Sequence, residues 1–173
     1  MFEFCVGTGS VDICDENECM RLREQNVKRI DIDCERIMDE GTTRKDVERL
    51  ACMLEKSGLS VETSHPPFGS YNEPFSIISQ SPRRGREIEW MKEFIERCGL
   101  LHIKAIPLHT GGAMLPYATD WEIGLAYDYV NSLLPSAEKA GVKIAIENTN
   151  HANPVGWDEG VQDDIELNRN IWQ

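Results

Sequence analysis

Three residues with side chains suited to metal binding or proton transfer stand at the ends of short apolar segments. These residues are His65, His109 and Glu147, and each follows a run containing aliphatic side chains. Two imidazoles and one carboxylate form a partial ligand set suited to Zn²⁺, Mn²⁺ or Co²⁺. A carboxylate in such a place can also act as a general base. A single histidine is more often structural, so the hypothesis depends on the position that the three residues share.

A repeated unit of helix, stop and strand brings these residues into register. Gly58, Gly99 and Gly141 each follow a helix-like ending and precede an apolar run, and Asn26 ends a weaker copy. Glycine and asparagine tolerate the left-handed conformation that ends many helices. Alternating strands and helices of this kind predict a parallel sheet covered by helices. Parallel strands end at one rim, so we expect the three side chains to converge there.

The pattern predicts five strands and four main helices. The strands cover about residues 2–7, 27–34, 59–64, 101–108 and 142–147. The first helix covers roughly 16–25, Thr43 and Asp46 form a capping box for the second, and the third ends before Gly99. Thr119 with Glu122 caps the fourth, which contains Pro135. A proline inside a helix removes a hydrogen bond, so we expect a kink or a break near Asn131.

Alternation along the strands indicates a polar inner face. In the second strand Ile30 and Ile32 share one face, and Asp31 and Asp33 lie on the other. This pattern favours a barrel interior over a doubly wound sheet, whose strands are apolar on both faces. The alternative is a sheet face solvated at an open edge. In the third strand His65 falls on the wrong face, unless the strand has a bulge or ends early, before Pro66-Pro67.

Several segments resemble the xylose-isomerase-like TIM barrels. The matching motifs are Ser64-His65-Pro66-Pro67-Phe68, Leu108-His109-Thr110-Gly111, Ala145-Ile146-Glu147-Asn148 and the helix segment 133–138. The resemblance covers roughly residues 55–150. It implies that Glu147 binds a divalent metal and moves protons, and that His65 and His109 bind metal or substrate. It also places Asn148 at the substrate.

The resemblance implies a partial (β/α)₈ barrel that this chain does not close. A complete barrel takes about 250 residues, and this chain of 173 residues supplies about five parallel βα units. We expect a single domain over 1–173, truncated after the fifth strand, with a polar loop and tail over 151–173. The remaining ligands of the family would come from strands beyond the fifth.

The leading functional hypothesis is a metal-dependent sugar or sugar-phosphate isomerase or epimerase, with proton transfer through an enediolate. The chain by itself is expected to have little activity. One alternative is a metal-dependent phosphodiesterase resembling apurinic endonucleases, which would use His65, His109 and Glu147. Another is a non-catalytic partial barrel that associates with itself or a partner through exposed sheet edges.

Charge and composition exclude several classes of function. The net charge is −12, with 30 acidic residues against 18 basic ones, which argues against nucleic acid as a partner. No apolar run is long enough to span a membrane, and no secretory signal is visible. We therefore expect a cytoplasmic protein. Its six cysteines are expected to be reduced thiols, several of them buried.

Overall fold

The computed structural model of the protein describes residues 5–9, 11–67, 77–78, 82–109 and 120–147, without the side chains of His109, Glu122 and Glu147. The strands are β1 (Cys5–Gly7), β2 (Arg29–Asp33), β3 (Ser60–His65), β4 (Ala105–His109) and β5 (Lys143–Glu147). The helices are α1 (Glu16–Glu24), α2 (Glu35–Met38), α3 (Arg44–Lys56), α4 (Arg84–Leu100) and α5 (Asp120–Ala140). The short helix α2 was not predicted. The rest of the order follows the predicted alternation.

The strands form two hydrogen-bonded sets. Strands β1, β2 and β3 lie in that order in a parallel sheet, and β4 pairs with β5. The pairing of β4 with β5 begins where the Lys143 amide donates to the Lys104 carbonyl oxygen at 2.8 Å. No pairing joins β3 to β4 within the described residues. The fold is therefore α/β with parallel strands and is not a closed barrel, as predicted.

The chain groups into two compact units. The first takes in the described residues of Met1–Pro66, Met91–Pro107 and Pro135–Ala145, and the second takes in those of Pro67–Trp90, Leu108–Leu134 and Ile146–Gln173. The first unit contains the three-stranded sheet and a core of aliphatic residues from its helices. The prediction of one domain over 1–173 stays a prediction. None of the described helices has both the length and the apolar character that a bilayer crossing requires.

Three of the four predicted helix stops are confirmed by backbone geometry. Asn26, Gly58 and Gly141 have φ values of 64°, 72° and 70°. The capping box of α3 is also confirmed. The Thr43 hydroxyl oxygen accepts from the Asp46 amide, and the Asp46 carboxylate accepts from the Thr43 amide at 2.8 Å.

The prediction that a helix stops before Gly99 is wrong. Helix α4 continues to Leu100, and the left-handed residue is His102, with φ of 59°. Gly99 instead permits close packing between α4 and α5. A Cβ atom at Gly99 would lie 2.9 Å from both the Cβ and the carbonyl oxygen of Ala140. The residue therefore allows the end of α4 to approach the end of α5.

Helix α5 does not break near Asn131, so that part of the prediction is wrong, whereas a kink there stays a prediction. Helix α5 runs for 21 residues across Pro135. Leu133 and Ala137, on either side of the proline, are both buried. Packing against this helix offsets the single backbone hydrogen bond that a proline removes. The predicted cap at Thr119 lies outside the described residues.

All six cysteines are free thiols, as predicted, and three of them are buried: Cys19, Cys34 and Cys98. Burial in apolar surroundings disfavours the thiolate and raises the pKa of the Cys34 thiol to about 12. These buried cysteines therefore act as small apolar core residues.

Candidate active site

The face of the three-stranded sheet opposite its buried aliphatic side chains is polar, as the alternation predicted. Ile30 and Ile32 of β2 are fully buried, whereas Asp31 is half-buried and Asp33 is exposed. The apolar side chains therefore face the covering layer, and the acids face the opposite side at the carboxyl end of the strand. Val142, the residue before β5, is buried, whereas Ile146 near the end of β5 is exposed.

A bulge in β3 decides which face carries His65. Ile30 pairs with Val61, but the next residue, Asp31, pairs with Thr63, so Glu62 is the extra residue. The insertion reverses the alternation that holds before it. Ser64 becomes buried, and His65 comes to the face that carries the acids. Of the two predicted explanations for His65 on the acidic face, the bulge is confirmed and the early strand end is wrong, since β3 continues to His65.

His65 and Asp31 approach each other on this face. The ring Nδ1 of His65 lies 3.6 Å from Oδ2 of Asp31. Burial disfavours the charged carboxylate and raises the pKa of Asp31, although His65 opposes this shift. Within the described part of the chain, the buried Oδ1 of Asp31 accepts no hydrogen bond. This oxygen and the imidazole nitrogen are atoms that can bind a divalent metal or a polar ligand.

The loop after β1 fixes the backbone at this point. The Thr8 amide and hydroxyl both donate to the Asp31 carbonyl oxygen, at 3.0 and 2.9 Å. A Cβ atom at Gly9 would lie 3.4 Å from Oδ2 of Asp33. The loop therefore packs closely against the acids of β2 and holds Asp31 in place.

The predicted site residues differ in how much the structure says about them. His65 is the last residue of β3, on the acidic face. His109 and Glu147 are the last residues of β4 and β5, but their side chains lie outside the described part. Asn148 and the tail over 151–173 lie outside the described residues altogether. The convergence of the three predicted ligands therefore stays a prediction.

Among the described side chains, no three histidine, cysteine or carboxylate groups are arranged to hold a metal ion. His65 and Asp31 supply two such groups. Asp31 is a residue to which the sequence reasoning gave a face but no role. Two features of the sequence could have identified it. Asp31 lies on the acidic face of β2, and the neighbouring strand ends in His65, the residue whose predicted face conflicted with the alternation.

Solved structures with the same fold include several sugar-acting enzymes. The chain superimposes on the 3-keto-D-glucoside 4-epimerase of E. coli with a TM-score of 0.64 and 14% identity, covering 84% of this chain and 56% of the epimerase. It superimposes on a D-tagatose 3-epimerase-like protein with a TM-score of 0.60 and 20% identity, covering 86% of this chain and 53% of that protein. With the mannonate dehydratase of Streptococcus suis the TM-score is 0.57 and the identity 16%, covering 84% of this chain and 53% of the dehydratase.

The chain spans about half the length of these proteins. At such identities the likeness shows a shared fold, which here is the fold of sugar epimerases. Among curated proteins, none matches the sequence. The family model described as "Xylose isomerase-like TIM barrel" matches residues 22–165, which is most of the chain. The chain belongs to the xylose isomerase-like TIM barrel family.

Proposed function

We propose that this chain carries part of the active site of a metal-dependent sugar or sugar-phosphate isomerase or epimerase. The observation that supports this most is the bulged strand β3, which puts His65 on the acidic face at the carboxyl end of a parallel sheet. Enzymes with barrel architecture bind their substrates at that end. Fold similarity to sugar epimerases supports the choice of substrate class.

The proposed metal ligands are His65, His109 and Glu147, the last residues of three strands. In a (β/α)₈ barrel the carboxyl ends of the strands surround one mouth, so ligands from different strands can share an ion. The described part of the site fits such an ion in part. It offers an imidazole and, in Asp31, a buried carboxylate oxygen that has no described hydrogen-bond partner. These donors suit Mn²⁺, Co²⁺ or Zn²⁺.

When bound, a divalent ion would polarise the sugar carbonyl and stabilise the charge of an enediolate. Glu147 would remove the proton from the carbon next to the carbonyl and return it. Asn148 and the two histidines would hold the sugar oxygens in place. The second acid of such a reaction is not among the residues proposed for this chain.

Exchange of the substrate's carbon-bound proton with solvent tests this reaction, because exchange needs one base and no complete turnover. The protein with Mn²⁺ is incubated with ketoses and ketose phosphates in D₂O, and deuterium next to the carbonyl is followed by NMR. We expect slow exchange with a sugar in this panel and its loss in Glu147→Gln. His102→Asn is the matched control, since His102 is an exposed histidine whose left-handed backbone suits asparagine. Equal exchange in wild type and Glu147→Gln would contradict the role of Glu147.

Open strand edges support a second property, which is self-association. Within the described residues β3 pairs only with β2, and β4 pairs only with β5. Unpaired edges of parallel strands are templates for pairing with another chain. We therefore propose that the protein forms homo-oligomers, and light scattering over a dilution series tests this. A monomer at every concentration would contradict it.

A further inference from the structure

We propose that Asp31 is a positioning residue for His65: its carboxylate holds the Nδ1 side of the imidazole, so that Nε2 is the nitrogen presented to a ligand. This inference rests on the proposed function of His65 as a metal or substrate ligand. It adds a residue to that site, and its test separates the two claims.

The strand register sets the geometry of the pair. Asp33 is the register partner of His65, and Asp31 lies two residues earlier on the same face of β2. From there Oδ2 of Asp31 reaches within 3.6 Å of Nδ1. This separation is longer than a hydrogen bond but within the range of an ion pair. Histidine ligands commonly have a carboxylate at the ring nitrogen that does not bind the metal.

Asp31 is held firmly enough to orient a ring. Its carbonyl oxygen accepts two hydrogen bonds from Thr8, which ties β2 to the loop after β1. Its side chain is only 25% exposed, compared with 44% for His65. A carboxylate on a fixed backbone can therefore restrict the rotation of the imidazole.

A carboxylate at position 31 lowers the stability of the fold, which a purely structural residue would not be expected to do. Its Oδ1 is buried and accepts no hydrogen bond within the described part of the chain. A buried polar atom without a partner destabilises a fold, because it has lost its hydrogen bonds to water. A role in the site explains why a carboxylate occupies this position.

The chemical consequence concerns the histidine tautomer. In neutral histidine one ring nitrogen carries the proton and the other has a free electron pair. A carboxylate beside Nδ1 favours the proton on Nδ1, since a carboxylate only accepts hydrogen bonds. Nε2 then keeps its electron pair for a metal ion or a sugar hydroxyl. Removing Asp31 removes this bias toward a proton on Nδ1.

Nitrogen NMR of the histidine side chains measures this directly. The chain has four histidines, and the signals of His65 are identified by their loss in His65→Gln. At about pH 8, where an ordinary imidazole is neutral, we expect His65 to carry its proton on Nδ1. The proton should move toward Nε2 in Asp31→Ala and, with less disturbance of packing, in Asp31→Asn. The matched control is Asp33→Ala, which removes the neighbouring acid and should leave the tautomer unchanged.

A Co²⁺ titration of the same proteins separates the two claims. If both hold, Asp31→Ala weakens Co²⁺ binding by about 10- to 100-fold, and Asp33→Ala does not. A tautomer change without any effect on Co²⁺ supports the positioning role and contradicts His65 as a metal ligand. An Nε2 proton on His65 in the wild type, or an unchanged tautomer in Asp31→Ala and Asp31→Asn, overturns the inference whatever the Co²⁺ affinity.

Discussion

Asp33 and His65 are register partners and form the last residues of two neighbouring parallel strands. Their partnership depends on the bulge at Glu62, which takes up the residue that β3 has in excess of β2. If β3 paired with β2 residue by residue after Val61, His65 would lie opposite Cys34, on the face of the buried Ile32. The bulge therefore decides whether this histidine reaches the acidic face or the core.

Deletion of Glu62 and insertion of one residue before His65 test this register. Deleting the extra residue leaves His65 opposite Asp33, so the His65 nitrogen signals should stay near their wild-type positions, as in the control Glu62→Ala. An alanine inserted between Ser64 and His65 should move His65 one position along the strand, turn it to the buried face and change those signals. Changed signals in the deletion variant, or wild-type signals in the insertion variant, would contradict the register.

Gly99 of α4 and Gly124 of α5 predict opposite effects of alanine. Gly99→Ala should destabilise the protein by about 1–3 kcal/mol, because the new Cβ would collide with the backbone of Ala140. Gly124→Ala on α5 has nothing within 4 Å and should stabilise by about 0.5–1 kcal/mol through helix propensity. Thermal and urea unfolding compare the two variants. Equal effects of the same sign would contradict close packing at Gly99.

Tyr129 predicts a loss of stability at alkaline pH. Its ring lies under the Arg84 guanidinium, 5.1 Å from ring centre to Cζ, and the side chain is fully buried. Burial disfavours the phenolate and raises the pKa of Tyr129 well above its ordinary value of 10.0. Above pH 10.0 the unfolded chain releases this proton while the folded chain keeps it, so the free energy of unfolding falls as pH rises.

Tyr129→Phe should remove that part of the alkaline loss and keep the ring under Arg84. At neutral pH its stability should stay within about 1 kcal/mol of the wild type, because the Tyr129 hydroxyl makes no hydrogen bond in the described part of the chain. The control is Tyr127→Phe on the same helix, where the side chain is 69% exposed. Urea unfolding across the alkaline range compares them, and parallel pH profiles for all three proteins would contradict the assignment.

Patterns that depend on local chemistry predicted the fold well. The alternation of Ile30 and Ile32 with Asp31 and Asp33, and the capping box of Thr43, both follow from neighbours in sequence, and the structure has them. The left-handed glycines at 58 and 141 belong to the same class. The parallel architecture followed from these elements, whereas the family resemblance followed from the motifs around His65, His109 and Glu147.

The failures come from contacts between distant residues. Gly99 looks the same in sequence as Gly58, but its role is set by Ala140 on another helix. The parity conflict at His65 revealed an irregularity but not its location, since only the pairing with β2 shows that Glu62 is the extra residue. The Asp31–His65 contact joins two strands, so no local pattern could predict its distance.

Metal binding tests the central claim most directly, namely that His65, His109 and Glu147 hold one divalent ion. Calorimetric titration with Co²⁺ or Mn²⁺ should show one ion per chain. Affinity should fall at least about tenfold in Glu147→Gln, His109→Gln and His65→Gln, since each removes a ligand. His102→Asn should bind as the wild type does. Wild-type affinity in Glu147→Gln and His109→Gln, or no binding by the wild type, would contradict the account.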